Sequence, residues 1–126
     1  LTPQSVHGLG GHKVQGRSES AESALLESAR GLAEAGCFAL VLECVPANLP
    51  ARITREISIP TIGIGAGPET DGQVLVLQDM LGMNPQFKPK FLRHYACGHG
   101  VVTEAVNRFH AETQQGCFPS RSESYA

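Results

Sequence analysis

No strong charge of either sign marks this chain. Its 126 residues carry 10 Lys and Arg against 12 Asp and Glu, a formal net charge of -2, and the pI is near 6.2. Nucleic acids and acidic membrane surfaces are held by clustered basic residues, so neither is an expected partner. Long apolar runs are missing too: the longest fall far short of the roughly 20 residues needed to span a bilayer. No charged segment with a cleavage site opens the sequence at Leu1, and the expectation is a soluble, cytoplasmic protein with no targeting signal of its own. Tryptophan is absent, while 41% hydrophobic and 17% charged residues suit a soluble single domain.

Cysteine is present but unpatterned. Cys37, Cys44, Cys97 and Cys117 lie in separate neighbourhoods with no C-x-x-C pair, so a disulfide scaffold is not expected, and a reducing compartment keeps all four free. His7, His12, His94, His99 and His110 show neither H-E-x-x-H nor finger spacing, and no metal site is assigned to them.

What the chain does have is an apolar run that ends on a carboxylate: Phe38-Ala39-Leu40-Val41-Leu42-Glu43-Cys44-Val45-Pro46. A strand buried on both faces reads as continuous apolar sequence, and parallel-strand folds place their chemistry at the strands' carboxyl ends. Glu43 is the first polar residue to emerge there and is the leading catalytic candidate. A plain alternative is a carboxylate satisfied by a salt bridge or a backbone N–H, but an unpaired glutamate among apolar neighbours is costly to bury without purpose. A second run, Ile59-Pro60-Thr61-Ile62-Gly63-Ile64-Gly65-Ala66-Gly67, ends in glycines that let a ligand approach backbone closely. Ile64, Gly65 and Gly67 are therefore candidate cleft-lining, substrate-binding residues on the same face as Glu43.

Around these runs the pattern alternates. Leu1 to Arg17 is rich in glycine and reads as irregular, with a short helical turn at Thr2-Pro3-Gln4. Ser18 or Ser20 offers an N-cap, Leu25, Ala29, Leu32 and Ala33 repeat at helical spacing, and Gly36 closes that helix. After the Phe38 to Glu43 strand, a helix is expected from about Asn48 to Ile57, with Leu49, Ile53 and Ile57 as its apolar stripe. A strand at Thr61 to Ile64 follows, then a turn at Gly67 to Gly72 and a third strand at Gln73 to Leu77. A short helical piece near Lys90 to Tyr95, a last helix from about Gly100 to Gly116 and a polar tail complete the chain. This order is that of an α/β unit with a parallel sheet. A (β/α)₈ barrel needs about 250 residues, so the chain is either a smaller open sheet or the second half of a longer protein, and its start at Leu1 favours the second.

Gly63-x-Gly65-x-Gly67 is not a dinucleotide fingerprint, which wants G-x-G-x-x-G opening a helix; Pro68, Glu69 and Asp71 follow instead. Glycines that let a strand end pack against its neighbours are an equal reading. Asp71 and Asp79 read as turn and helix caps. Arg52, Arg55, Lys88, Lys90 and Arg93 are scattered and read as solvated surface.

Taken in order, several segments resemble the C-terminal half of the ketopantoate hydroxymethyltransferases (3-methyl-2-oxobutanoate hydroxymethyltransferases). They are Leu1-Thr2-Pro3-Gln4-Ser5-Val6, Gly10-Gly11-x-Lys13-Val14-Gln15-Gly16-Arg17, Leu40 to Pro46, Ile59 to Gly67 and Asp71-Gly72-Gln73-Val74-Leu75-Val76, extended by Lys90-Phe91, Tyr95 and Gly116-x-Phe118-Pro119. The resemblance implies an α/β fold, the C-terminal half of a (β/α)₈ TIM barrel of the phosphoenolpyruvate/pyruvate type. Residues 1–126 would form a single partial domain, with 84–126 forming C-terminal helices and tail. It implies transfer of a hydroxymethyl group from 5,10-methylenetetrahydrofolate to 2-oxoisovalerate, giving ketopantoate in pantothenate (coenzyme A) biosynthesis. Glu43 matches the family's base, which removes the C3 proton, and Mg²⁺ would stabilise the enolate oxygen. The resemblance further implies a missing N-terminal half and a homo-oligomer.

The family's Mg²⁺ carboxylates and substrate-clamping lysine belong to strands upstream of Leu1, so no metal ligand is assigned here. His7, Gly8 and His12 replace residues more often Asn, bulky apolar or aromatic, and Gln78 stands where His is usual. Two other functions remain open: a non-catalytic half-barrel that pairs with another chain, and a related carbon–carbon lyase of the same barrel superfamily.

Overall fold

In the computed structural model, which describes residue 8 and residues 14–125, Ser18 starts the first helix. Its hydroxyl accepts from the Ala21 N–H at 3.3 Å, satisfying one of the free amides at the start of α1 (Glu19–Glu34), and Glu19 and Glu22 sit at the positive helix end. Gly36, at φ +90, carries the chain out past Ala35 in a conformation that disfavours any side chain. The expected turn at Thr2-Pro3-Gln4 lies outside the described residues, as do His7 and His12.

Strand β1 (Leu40–Glu43) is shorter than the expected Phe38 start. Leu40 N–H donates to the Pro60 carbonyl at 2.9 Å, and Pro60 has no N–H to return, so the ladder stops there and Phe38 stays 91% exposed. Helix α2 (Asn48–Glu56) follows, ending before Ile57, which is already extended. Leu49 and Ile53 are the fully buried part of its apolar stripe. Strands β2 (Thr61–Ile64) and β3 (Gly72–Gln73) complete a parallel sheet in the order β1-β2-β3. The third strand is shorter than Gln73 to Leu77. One further ladder bond, Val74 N–H to the Gly63 carbonyl at 3.0 Å, is the last; β3 has no outer partner among the described residues, and Leu77 turns instead into α3 (Leu77–Met80).

The core lies on one face of the sheet. Leu40 and Leu42 join Leu26 and Ala29 of α1, Leu49 and Ile53 of α2, Val45 and Ala66 in the core. Val41 and Glu43 alternate to the opposite side and are exposed, so a run that reads as buried on both faces is buried on one. Ion pairs Arg30–Glu56 and Arg52–Glu22, at 2.6 Å, link α1 to α2 at the surface, where such pairs contribute little. Arg52 is thus paired rather than simply solvated.

Thr61, a polar residue, is fully buried. Its N–H and hydroxyl both donate to Asp71 Oδ2, at 2.8 and 3.0 Å, and its oxygen accepts from Asp71 N–H at 3.2 Å. The hydroxyl proton being committed, the 2.8 Å contact with Thr54 Oγ1 is one in which Thr54 donates. Asp71 is therefore not a simple turn residue: it clamps the start of β2 to the loop before β3.

The chain divides into two compact units between Leu75 and Val76. The second holds α3, α4 (Gly98–Gln114) and a 3-10 turn at Arg121–Glu123. Asp79 lies inside α3, which has no side-chain cap, so its reading as a cap is corrected. No helix forms at Lys90 to Tyr95; the Tyr95 N–H is used instead on the Met80 carbonyl at 2.8 Å. Helix α4 buries none of its residues, and Phe109 packs edge-on against Phe118, with ring centroids 5.3 Å apart.

Candidate active site

The parallel register sets the carboxyl ends of β1 and β2 side by side. Glu43 and Ile64 are Cα partners, and the ladder runs one residue further, with Cys44 N–H donating to the Ile64 carbonyl at 3.0 Å. Cys44 has φ +50, a left-handed conformation that costs a non-glycine residue about 1–3 kcal/mol and persists only where the surroundings hold it. Both its backbone groups are held, since its carbonyl accepts from Gln15 N–H at 3.2 Å. The chain thus turns sharply after Glu43 and drops Val45 into the core.

Beyond β2, Gly65 and Gly67 take φ +63 and +79, and Ala66 between them is fully buried. A Cβ at Gly67 would lie 2.6 Å from Ala47 Cβ and 3.1 Å from Ala47 Cα, so the loop after β2 rests directly on the turn after β1. These glycines serve backbone packing; the sheet nonetheless gathers Glu43, Ile64, Gly65 and Gly67 at one end.

Glu43 is exposed, unlike the buried carboxylate its apolar neighbours led one to expect, because it alternates with Leu42 to the side of the strand away from the core. Among the described residues it belongs to none of the ion pairs, which use Glu22, Glu56 and Glu112. Its charge is felt by Cys44, whose thiol is pushed up from its ordinary range first by burial and then by the neighbouring carboxylate. Such a carboxylate can accept a proton from a group set over the strand end.

No three His, Cys, Asp or Glu among the described residues come together to hold a metal ion. A cavity of about 200 Å³ lies elsewhere, lined by Leu25, Leu32 and Val41 among others, and includes none of Glu43, Ile64, Gly65 or Gly67. Two residues near the site were not singled out from the sequence, Thr70 and Gln73; the Gln73 amide donates to Thr70 Oγ1 and to the Gly67 carbonyl. A glycine in mid-strand, Gly63, is the sequence signal that something approaches closely there.

No helix among the described residues is long and apolar enough to cross a membrane. A family model described as ketopantoate hydroxymethyltransferase matches residues 1–121. The 3-methyl-2-oxobutanoate hydroxymethyltransferase of Bdellovibrio bacteriovorus is 57% identical over 126 residues, 100% of this chain and 48% of the relative. The proteins of that name from Francisella tularensis subsp. tularensis and Leptospira biflexa are 53% and 54% identical, each over 99% of this chain and 47% of their own length. The chain therefore spans about half the length of these relatives.

Proposed function

The chain belongs to the ketopantoate hydroxymethyltransferase family, and from that premise we propose that it carries the proton-abstracting part of a hydroxymethyltransferase site, with Glu43 as the base. The observation that supports this reading is an exposed carboxylate at the carboxyl end of a parallel strand, next to Ile64 and a tightly packed glycine loop, and in no ion pair among the described residues. In the proposed step the Glu43 carboxylate takes the C3 proton of 2-oxoisovalerate. The C3–H electron pair becomes that of the enolate. Water hydrolyses the methylene bridge of 5,10-methylenetetrahydrofolate, both C–N bonds breaking and the two water hydrogens passing to the nitrogens as tetrahydrofolate leaves; the enolate carbon adds to the one-carbon aldehyde so released, and the resulting alkoxide takes back the proton held by Glu43. Ile64, Gly65 and Gly67 line the cleft beside the base. The product, ketopantoate, enters pantothenate synthesis.

The exposed side of β1, with Val41 and Glu43, supports a second element of the proposal: this chain is the C-terminal half of a TIM-type barrel whose remaining strands close that face. Contacts to Mg²⁺ and folate are then assigned to the part of the enzyme outside this chain. The same exposed residues are what favour the competing reading, a non-catalytic half-barrel that only pairs with another chain.

The test is Glu43→Gln in the full-length protein. It keeps the side chain's size and removes the base, and deuterium exchange at C3 of 2-oxoisovalerate is expected to slow by about 10²-fold or more. Exchange at the wild-type rate assigns the base elsewhere; no exchange in the wild-type protein favours the assembly reading.

A further inference from the structure

One side chain ties down the loop between β2 and β3. The Gln73 amide donates to the Gly67 carbonyl at 2.9 Å and to Thr70 Oγ1 at 2.8 Å. Thr70 commits its own proton to the Gly72 carbonyl at 2.8 Å, so toward Gln73 it can only accept, and both amide protons of Gln73 have acceptors waiting for them. Beneath them is Gly63, in register with Gln73. A Cβ there would lie 2.7 Å from Thr70 Oγ1 and 3.1 Å from Gln73 Nε2, so the bare backbone of β2 is what lets both side chains lie across it. At the other end Gly67 presses on Ala47, in the turn that follows Glu43. A continuous set of contacts thus runs from Gln73 through Gly67 to the backbone that leaves the candidate base. Neither Thr70 nor Gln73 belongs to the core cluster, so their bonds shape the loop rather than hold the fold.

Resting on the reading that the carboxyl ends of β1 and β2 form the site, we infer that Gln73 and Thr70 are positioning residues that hold the Gly65 to Gly67 loop against the Ala47 turn and so set the cleft in which the 2-oxo acid lies. Gln73 touches neither the substrate nor the base. Releasing the loop widens the cleft and weakens substrate fit, whereas removing the base slows proton transfer. The two kinds of residue therefore separate in KM and kcat.

The experiment uses the full-length enzyme, with 2-oxoisovalerate as the probe and C3 deuterium exchange as the assay. Gln73→Met keeps chain length and removes both donations; Thr70→Val removes the acceptor; Thr70→Ser retains it. Gln73→Met and Thr70→Val are each expected to raise KM about 10-fold while kcat per folded enzyme stays within about 3-fold, and Thr70→Ser to keep KM near wild type. The double variant should be little worse than either single one, because both break one network. If Gln73→Met does not fold, the Thr70→Val and Thr70→Ser pair decides the same comparison. Folded variants with unchanged KM, or a loss confined to melting temperature, overturn the inference. Glu43→Gln run alongside keeps the two claims apart: an unaltered rate there removes the base assignment, whatever KM does in the Gln73 variant.

Discussion

Replacing Gly67 by alanine combines two costs that a matched pair of variants can separate. At φ +79, alanine carries a left-handed backbone penalty of about 1–2 kcal/mol, offset by about 0.4–1 kcal/mol from its stiffer unfolded chain. The new Cβ also lies 2.6 Å from Ala47 Cβ and 3.1 Å from Ala47 Cα, closer than packed carbons tolerate, and relieving such overpacking costs about 1–3 kcal/mol. Gly36 is the control, because its φ is +90 and a Cβ there meets nothing within 4 Å. Gly36→Ala therefore carries the backbone term alone, about 0–1.5 kcal/mol. Gly67→Ala should be less stable than Gly36→Ala by a further ~1–3 kcal/mol. Ala47→Gly removes the 2.6 Å contact but leaves the 3.1 Å one, so in the double variant part of the loss returns as a favourable coupling. Urea unfolding of the full-length protein, with m-values compared to confirm a common unfolded state, gives all four corners of the cycle. Equal losses in Gly67→Ala and Gly36→Ala, or no coupling to Ala47→Gly, would refute the claim that the two loops are in hard contact.

Other expectations follow from individual groups. The Asp71 carboxyl is held below the ordinary aspartate range by the Thr61 N–H and then by the Thr61 hydroxyl. A depressed folded value means that its stabilisation is present above the unfolded value of about 3.9 and is lost as pH falls through the folded one. Asp71→Ala should flatten the acid limb of a stability-against-pH curve, and an unaltered limb argues against the clamp. Cys44, with its thiol pushed up by burial and by Glu43, should react with iodoacetamide at pH 8 more slowly than exposed Cys97 and Cys117, and Glu43→Gln should speed it modestly. A Cys44 rate as fast as those of the exposed thiols contradicts both causes. The isolated 126-residue chain, with Val41 and Glu43 exposed and β1 an edge strand among the described residues, should not sediment as a cooperatively folded monomer at micromolar concentration; a well-folded monomer there counts against the half-barrel proposal.

Much of this architecture could be read from local chemistry. Ser18, the helical spacing of Leu25 and Ala29, and Gly36 mark α1 because caps and periodicity act within a few residues of one another. The same holds for β2, where Thr61 to Ile64 is bounded by Pro60 and by glycines. Errors fell where a partner decides. Whether Phe38 joins β1 depends on Pro60 across the ladder, and whether Val74 to Leu77 stays extended depends on a strand beyond β3. Lys90 to Tyr95 loses its helix because Tyr95 bonds to Met80.

For the candidate site, the order of residues alone was enough to put Glu43 at a strand end and glycines after the next strand, since an apolar run that stops at a carboxylate is a one-dimensional pattern. Register, long-range hydrogen bonds and the exposure of Val41 and Glu43 are three-dimensional facts. The pairing of Glu43 with Ile64, the left-handed turn at Cys44, the Thr61–Asp71 clamp and the Gln73–Gly67 tie join residues that no spacing rule connects. Tertiary structure decided these because each depends on which strand lies beside which, and on what their backbones leave room for.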